Sequence, residues 1–134
     1  MIVVDASVLV TALADDGADG DLARARLRGE TLAAPELLDL EVLSVLRRQQ
    51  RGGHLPLRRA EQALTDLTDL PVRRAPHRAL LGRCWELREN LSSYDAAYVA
   101  LAEALAVALV TADARLARAP GTRCRVEVVG PPPA

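Results

Sequence analysis

The sequence predicts an α/β fold, a mostly parallel central sheet of five strands with helices on both faces. Three observations predict it. Short apolar runs alternate with longer segments whose apolar residues recur at helical spacing. The first run, Ile2-Val3-Val4, is apolar throughout, as a strand buried on both faces requires. The 134 residues suit one domain, and half of them are hydrophobic, enough for one core.

Ile2-Val3-Val4 is the first strand and ends at Asp5. Residues 6–14 are rich in Ala and Leu and suit a helix. Asp15, Asp16, Gly17, Asp19, Gly20 and Asp21 then form an acidic, glycine-broken, solvated loop. They lack the spacing and the distal Glu of a calcium loop. A second helix covers 22–27 and stops near Gly29. Residues 31–34 are a second strand, and Pro35 suits the first turn of the helix that follows. That helix ends at Gly52-Gly53. Residues 56–70 carry Leu57, Ala60, Leu64 and Leu67 at helical spacing. Residues 71–75 are a third, edge-like strand. Residues 77–91 read as one helix with Leu80, Leu81, Cys84 and Leu87 on one side. The segment 94–105 is the clearest helix, with Tyr94, Ala97, Tyr98, Leu101, Ala102 and Leu105 in register. Residues 106–110 form a fourth strand, 112–119 a short helix, and 125–129 a fifth strand. Residues 131–134 are a Pro-rich tail expected to be disordered, so the single domain is 1–130.

Composition removes several classes of chemistry. The 17 basic residues are all Arg and face 18 acidic ones, a net charge of −1. Bulk charge therefore does not make the chain a general polyanion binder. The absence of lysine excludes a Walker A lysine, a Schiff base and a lysine general base. His54 and His77, and Cys84 and Cys124, lack metal-finger or redox spacing, and the cysteines read as core fillers. No apolar run approaches a membrane span and Met1 to Asp5 is no signal peptide, so the expectation is a cytoplasmic protein with no membrane partner.

Carboxylates, hydroxyls and arginines remain. Parallel strands end on one edge, where the binding crevice of such sheets opens. Asp5 closes the first strand, and Asp113 follows the fourth. Glu41 interrupts an apolar helix side between Leu37 and Val45, and Asp95 lies in the first turn of the clearest helix. Each has a plain alternative. Asp5 and Asp113 suit helix caps, Ser92 to Asp95 suits a capping box, and Glu41 suits a flank position paired with an arginine. Together, acids converging on one edge would repel each other unless a cation held them. Hard divalent ions take carboxylate oxygen and activate water for phosphate-ester cleavage.

Four stretches carry a resemblance along nearly the whole chain. They are Val3-Val4-Asp5-Ala6-Ser7, Glu41-Val42-Leu43-Ser44-Val45-Leu46-Arg47-Arg48, Tyr94-Asp95-Ala96-Ala97-Tyr98-Val99-Ala100-Leu101-Ala102 and Leu109-Val110-Thr111-Ala112-Asp113-Ala114-Arg115-Leu116. In this order they resemble the PIN-domain nucleases and, more narrowly, the VapC toxins of type II toxin–antitoxin pairs. The resemblance implies a five-stranded PIN domain and metal-dependent endoribonuclease activity. It implies that Asp5, Glu41, Asp95 and Asp113 hold Mg²⁺ or Mn²⁺, with Ser7 and Thr111 as supporting hydroxyls. It implies a homodimer, an RNA substrate and a cognate VapB-type antitoxin that blocks the groove. Asp39 competes with Glu41, but points about 200° away on a helix. The motif and the apolar neighbours favour Glu41.

Arg47, Arg48 and Arg51 follow Glu41 on the same helix and are the candidates for holding RNA phosphate. Arg58, Arg59, Arg73, Arg74 and Arg78 come next, although arginine must also supply every solvated cation here. Trp85 reads as core rather than stacking platform, and the Tyr94, Tyr98 and Leu101 stripe as core or dimer interface. The principal alternative is a catalytically inactive binding module on the same fold. Dehalogenase-like and receiver-like domains need a lysine. The dehalogenase pattern also wants an acid where Ser7 stands, and no glycine-rich phosphate loop follows the first strand.

Overall fold

A computed structural model describes residues 1–130, so the expected tail at 131–134 lies outside the described residues. Five strands form one sheet: β1 (Ile2–Val4), β2 (Leu32–Pro35), β3 (Val72–Ala75), β4 (Leu109–Thr111) and β5 (Val126–Val128). Their order is β3-β2-β1-β4-β5, and every neighbouring pair is parallel. The chain builds outward from β1 to β3 on one side, then returns to β1 to add β4 and β5 on the other. That reversal lies between β1 and β4, which makes the space beyond their C-terminal ends the expected crevice.

The helices are α1 (Ala6–Ala14), α2 (Ala18–Leu27), α3 (Leu37–Arg51), α4 (Leu57–Asp69), α5 (Leu81–Glu86), α6 (Ser93–Leu105) and α7 (Ala114–Arg118). A single 3₁₀ turn, Arg78–Leu80, leads into α5. Successive strand residues divide between the two faces. Val3, Ala33 and Leu109 join a large core with α3, α4 and α6. Ile2, Val4, Leu32 and Val110 join a smaller one with Val8, Ala12 and Ala23 of α1 and α2.

Five expectations need correction. The acidic segment is not loop throughout: α2 begins at Ala18 and includes Gly20. Glycine lowers helix propensity, but the close approach of the chain just past α1 requires it here. Gly20 is buried, and a Cβ on it would sit 1.8 Å from the Asp15 carbonyl oxygen. Asp19 and Asp21 fall in the first turn of α2, where the helix dipole favours them.

Pro35 ends β2 opposite Ala75 instead of opening α3. The next residue, Glu36, donates its N–H to the Ala75 carbonyl at 2.9 Å, so the ladder runs past the proline. The helix expected over 77–91 is only the 3₁₀ turn and the six residues of α5. His77 Nε2 accepts the Leu37 N–H at 3.0 Å, Leu87 turns into the core, and Asn90 Nδ2 donates to the Pro120 carbonyl. These tertiary contacts hold the segment off a continuous helical path. Trp85 is consequently not core but 67% exposed, with the Arg88 guanidinium 4.5 Å above its ring. β4 starts at Leu109 rather than at 106, because Ala106 caps α6 in the left-handed region with φ 55°. Cys84 and Cys124 are free, half-buried and packed against the larger core.

Candidate functional site

Asp5 sits at the junction of β1 and α1 and is 6% exposed. Its Oδ1 caps α1 by accepting the Val8 N–H at 3.1 Å, so the cap reading holds alongside any other. Oδ1 also accepts the Ser7 hydroxyl at 2.7 Å, and Oδ2 accepts the Thr111 hydroxyl from the end of β4. Ser7 Oγ in turn accepts the Ala112 N–H at 3.0 Å, and Thr111 Oγ1 accepts the Asp113 N–H at 2.9 Å. Both hydroxyl protons are thereby aimed at Asp5, and the 3.2 Å contact between the two hydroxyl oxygens needs none. Burial pushes the Asp5 carboxyl above the usual carboxylate range, the hydrogen bonds oppose this, and the charge on Asp95 adds to it.

Glu41 stands on the flank of α3, half-buried beside the inward row of Leu38, Val42 and Leu46. Its Oε1 accepts the Tyr98 hydroxyl from α6 at 2.6 Å. Burial raises its pKa, the Tyr98 hydrogen bond lowers it, and Asp95 and Asp5 raise it further. The competitor Asp39 is engaged elsewhere: Arg74 grips it with two bonds of 2.7 and 2.9 Å.

Asp95 lies in the first turn of α6, its N–H bonded to the Ser92 hydroxyl at 3.1 Å, half of the expected capping box. Burial raises its carboxyl first, and the charge on Asp113 second. Asp113 caps α7 and accepts the Arg115 N–H at 2.9 Å. The Arg115 side chain reaches the same carboxylate at 2.9 Å and holds its pKa below the usual range. Asp95 and Asp113 line one cleft with Ser92, Asn90, Arg115 and Arg118.

Four acids from four separate segments thus form a chain of like charges at the C-terminal edge of the sheet. The charge on Asp95 raises both Asp5 and Glu41, Asp5 raises Glu41 as well, and Asp113 raises Asp95 while carrying its own arginine. Neighbouring carboxylates raised by burial and by like charge are what a cation offsets. Among the described residues, no three acids, histidines or cysteines close into a tight cage. Mg²⁺ does not need one, because it keeps several waters and binds through one or two carboxylates. The all-oxygen donor set fits Mg²⁺ or Mn²⁺ and offers nothing to softer metals.

Arg47, Arg48 and Arg51 are exposed on the last turns of α3 and make no ion pair among the described residues. They lie roughly 9–15 Å along the helix axis from Glu41 at 1.5 Å per residue. Arg59 and Arg74 are already taken by Asp16 and Asp39. The expected aromatic stripe divides: Tyr98 and Leu101 are core, whereas Tyr94 is 64% exposed. Sequence reasoning missed the Tyr98 hydroxyl as part of the site. Its spacing from Asp95, one helical turn on, was the available signal.

Residues 2–121 match the family model described as PIN domain. The chain is 46% identical to Ribonuclease VapC9 of Mycobacterium tuberculosis over 129 residues, which cover 96% of this chain and 98% of that protein. Its fold is similar to that of Mycobacterium tuberculosis VapC20, a sarcin–ricin-loop-cleaving toxin, with a TM-score of 0.70 at 21% identity over 97% of this chain and 100% of that one. It is similar also to VapBC2 from Rickettsia felis, solved bound to a DNA fragment from its promoter, with a TM-score of 0.70 at 17% identity over 97% of this chain and 100% of that one.

Proposed function

This chain belongs to the PIN-domain family, in its VapC branch, and from that premise we propose that it is a metal-dependent endoribonuclease acting as the toxin of a type II toxin–antitoxin pair. The observation that carries the reading is the placement of acids beyond the switch point between β1 and β4, with Asp5 held by Ser7 and Thr111 and Glu41 by Tyr98. The fold spends stability to hold these acids together, and a catalytic cation is the return on it.

Asp5, Glu41 and Asp95 would hold Mg²⁺ or Mn²⁺, with Asp113 at the margin of the site. When bound, the ion supplies a lowered water pKa and positive charge against the charge that builds on the scissile phosphate. The chain's own residues do the rest. Ser7 and Thr111 aim their protons at Asp5 and favour its ionised form against its burial. The two backbone N–H groups behind those hydroxyls fix their direction. Arg115 neutralises Asp113 in the free protein and is itself exposed, so it can exchange that carboxylate for an RNA phosphate. Arg47, Arg48 and Arg51 would contact the phosphate backbone further along α3. With two tyrosines and one tryptophan in the chain, recognition would rest on RNA shape more than on stacking.

The partner would be a VapB-type antitoxin, as the VapBC name of the Rickettsia felis assembly suggests, and the toxin would be a homodimer. No helix of the described residues is long and apolar enough to cross a membrane, in keeping with a cytoplasmic role. The test is cleavage of labelled total RNA by protein freed of antitoxin, with Mg²⁺, with Mn²⁺ and with EDTA, beside folded Asp5→Asn and Asp95→Asn variants. Discrete fragments that vanish with EDTA and in both variants support the reading. An uncut RNA pool under every condition would favour the binding module instead.

A further inference from the structure

Tyr98 carries a hydroxyl that packing does not require. Its ring is 1% exposed, among the largest fully buried side chains, and a phenylalanine ring would fill the same space. A buried hydroxyl needs a partner, but a backbone carbonyl would serve. This one reaches from α6 to α3 and donates to Glu41 Oε1 at 2.6 Å, joining residues 57 apart in sequence. No other hydrogen bond to the Glu41 carboxylate is made among the described residues, so Oε2 stays open. Glutamate has considerable side-chain freedom. An untethered Glu41 would turn toward solvent, away from the charges on Asp5 and Asp95. Tyr98 stands one turn after Asp95 on α6, so a single helix face supplies one acid and the group that restrains another.

We propose that Tyr98 is a positioning residue for the cation site: its hydroxyl holds Glu41 through Oε1 beside Asp5 and Asp95 and leaves Oε2 for the ion. This rests on the metal-nuclease reading above. It adds a residue whose role reaches the ion only through Glu41. The tether orders Glu41 before the ion arrives, so the ion does not have to order it against repulsion.

The experiment titrates Mn²⁺ into wild type, Tyr98→Phe, Glu41→Gln and the double variant, reading free Mn²⁺ by electron paramagnetic resonance. Far-UV circular dichroism and urea unfolding accompany each sample. Loss of a group that orients a metal ligand costs about 10-fold or more in metal affinity. Tyr98→Phe is therefore expected to bind Mn²⁺ about 10-fold more weakly, with its helix content unchanged. The double variant should bind no more weakly than Glu41→Gln alone, because the hydroxyl then has no carboxylate to hold. Mn²⁺ affinity of Tyr98→Phe within about twofold of wild type, with Glu41→Gln clearly weakened, would overturn the proposal and leave the metal reading standing. Additive losses in the double variant would overturn it equally. Unchanged affinity in Glu41→Gln would instead remove Glu41 from the ligand set, and the role of Tyr98 with it.

Discussion

Replacing Thr111 by valine removes one hydroxyl at nearly constant shape, and it does so at a fully buried position. The wild-type hydroxyl donates to Asp5 Oδ2 and accepts the Asp113 N–H at 2.9 Å. A hydrogen bond to a charged group is worth about 1.5–3 kcal/mol. The Asp113 N–H is only part-buried, so water recovers much of that second bond. The two losses together come to about 2–3 kcal/mol at pH 8. Urea unfolding followed by circular dichroism would then show a midpoint lower by about 1–1.5 M, for a slope of roughly 2 kcal/mol per M. The pH dependence gives the sharper test. The Thr111 bond favours ionised Asp5 and is the largest of the contributions that lower its pKa. Without it, the folded-state pKa, already raised by burial, rises further. A group whose folded pKa lies above its unfolded value costs stability as pH rises through that window. The penalty of Thr111→Val should therefore be greatest above the folded pKa of Asp5 and shrink on acidification. A loss below about 0.5 kcal/mol, or one that stays level on acidification until the protein unfolds, would overturn this.

Asp95→Asn removes one of three mutually repelling charges, so the metal-free variant should melt at a higher temperature than wild type above pH 7, while losing the stabilisation that Mn²⁺ gives wild type; thermal melts with and without Mn²⁺ check both. Because Asp5, Glu41 and Asp95 all titrate above the ordinary range, RNA cleavage should fade on acidification before typical carboxylates protonate, and a rate profile between pH 5 and 8 shows where. Gly20→Ala drives a Cβ to 1.8 Å from the Asp15 carbonyl oxygen and should cost about 2 kcal/mol, or roughly 6–10 °C in Tm; Gly82→Ala, with open space around it, is the control. Neutralising Arg47, Arg48 and Arg51 together should weaken RNA binding and flatten its salt dependence without changing Mn²⁺ affinity, measured by filter binding across a salt series.

Much of the architecture was legible because parallel strands and amphipathic helices leave distinct periods. Ile2-Val3-Val4 reads as a doubly buried strand, and that strand lies at the centre of the sheet. Its position also explains why Asp5 stands out, since an acid directly after a central strand must be paid for by specific partners. Glu41 could be singled out because it breaks an apolar flank, and Asp39 could be set aside; in the fold Asp39 pairs with Arg74. What stayed hidden was decided by contacts between distant segments. Position 20 of α2 is glycine because the Asp15 carbonyl, just past the end of α1, comes too close for any side chain. Trp85 is exposed because α5 ends within two turns, a length set by Leu87 and Asn90 rather than by local propensity. The Tyr98 hydroxyl was hidden for the same reason: residue spacing places it on the Asp95 face, but only the crossing of α6 and α3 brings it to Glu41.

Asp5, Glu41 and Asp95 are proposed to hold a divalent cation among them. The most direct measurement is the anomalous scattering of Mn²⁺ in crystals grown with the ion and without antitoxin. A peak ligated by at least two of Asp5, Glu41 and Asp95 is expected, and it should disappear in Asp5→Asn crystals. No peak among these acids at saturating Mn²⁺, in crystals of protein that still cleaves RNA, would contradict it.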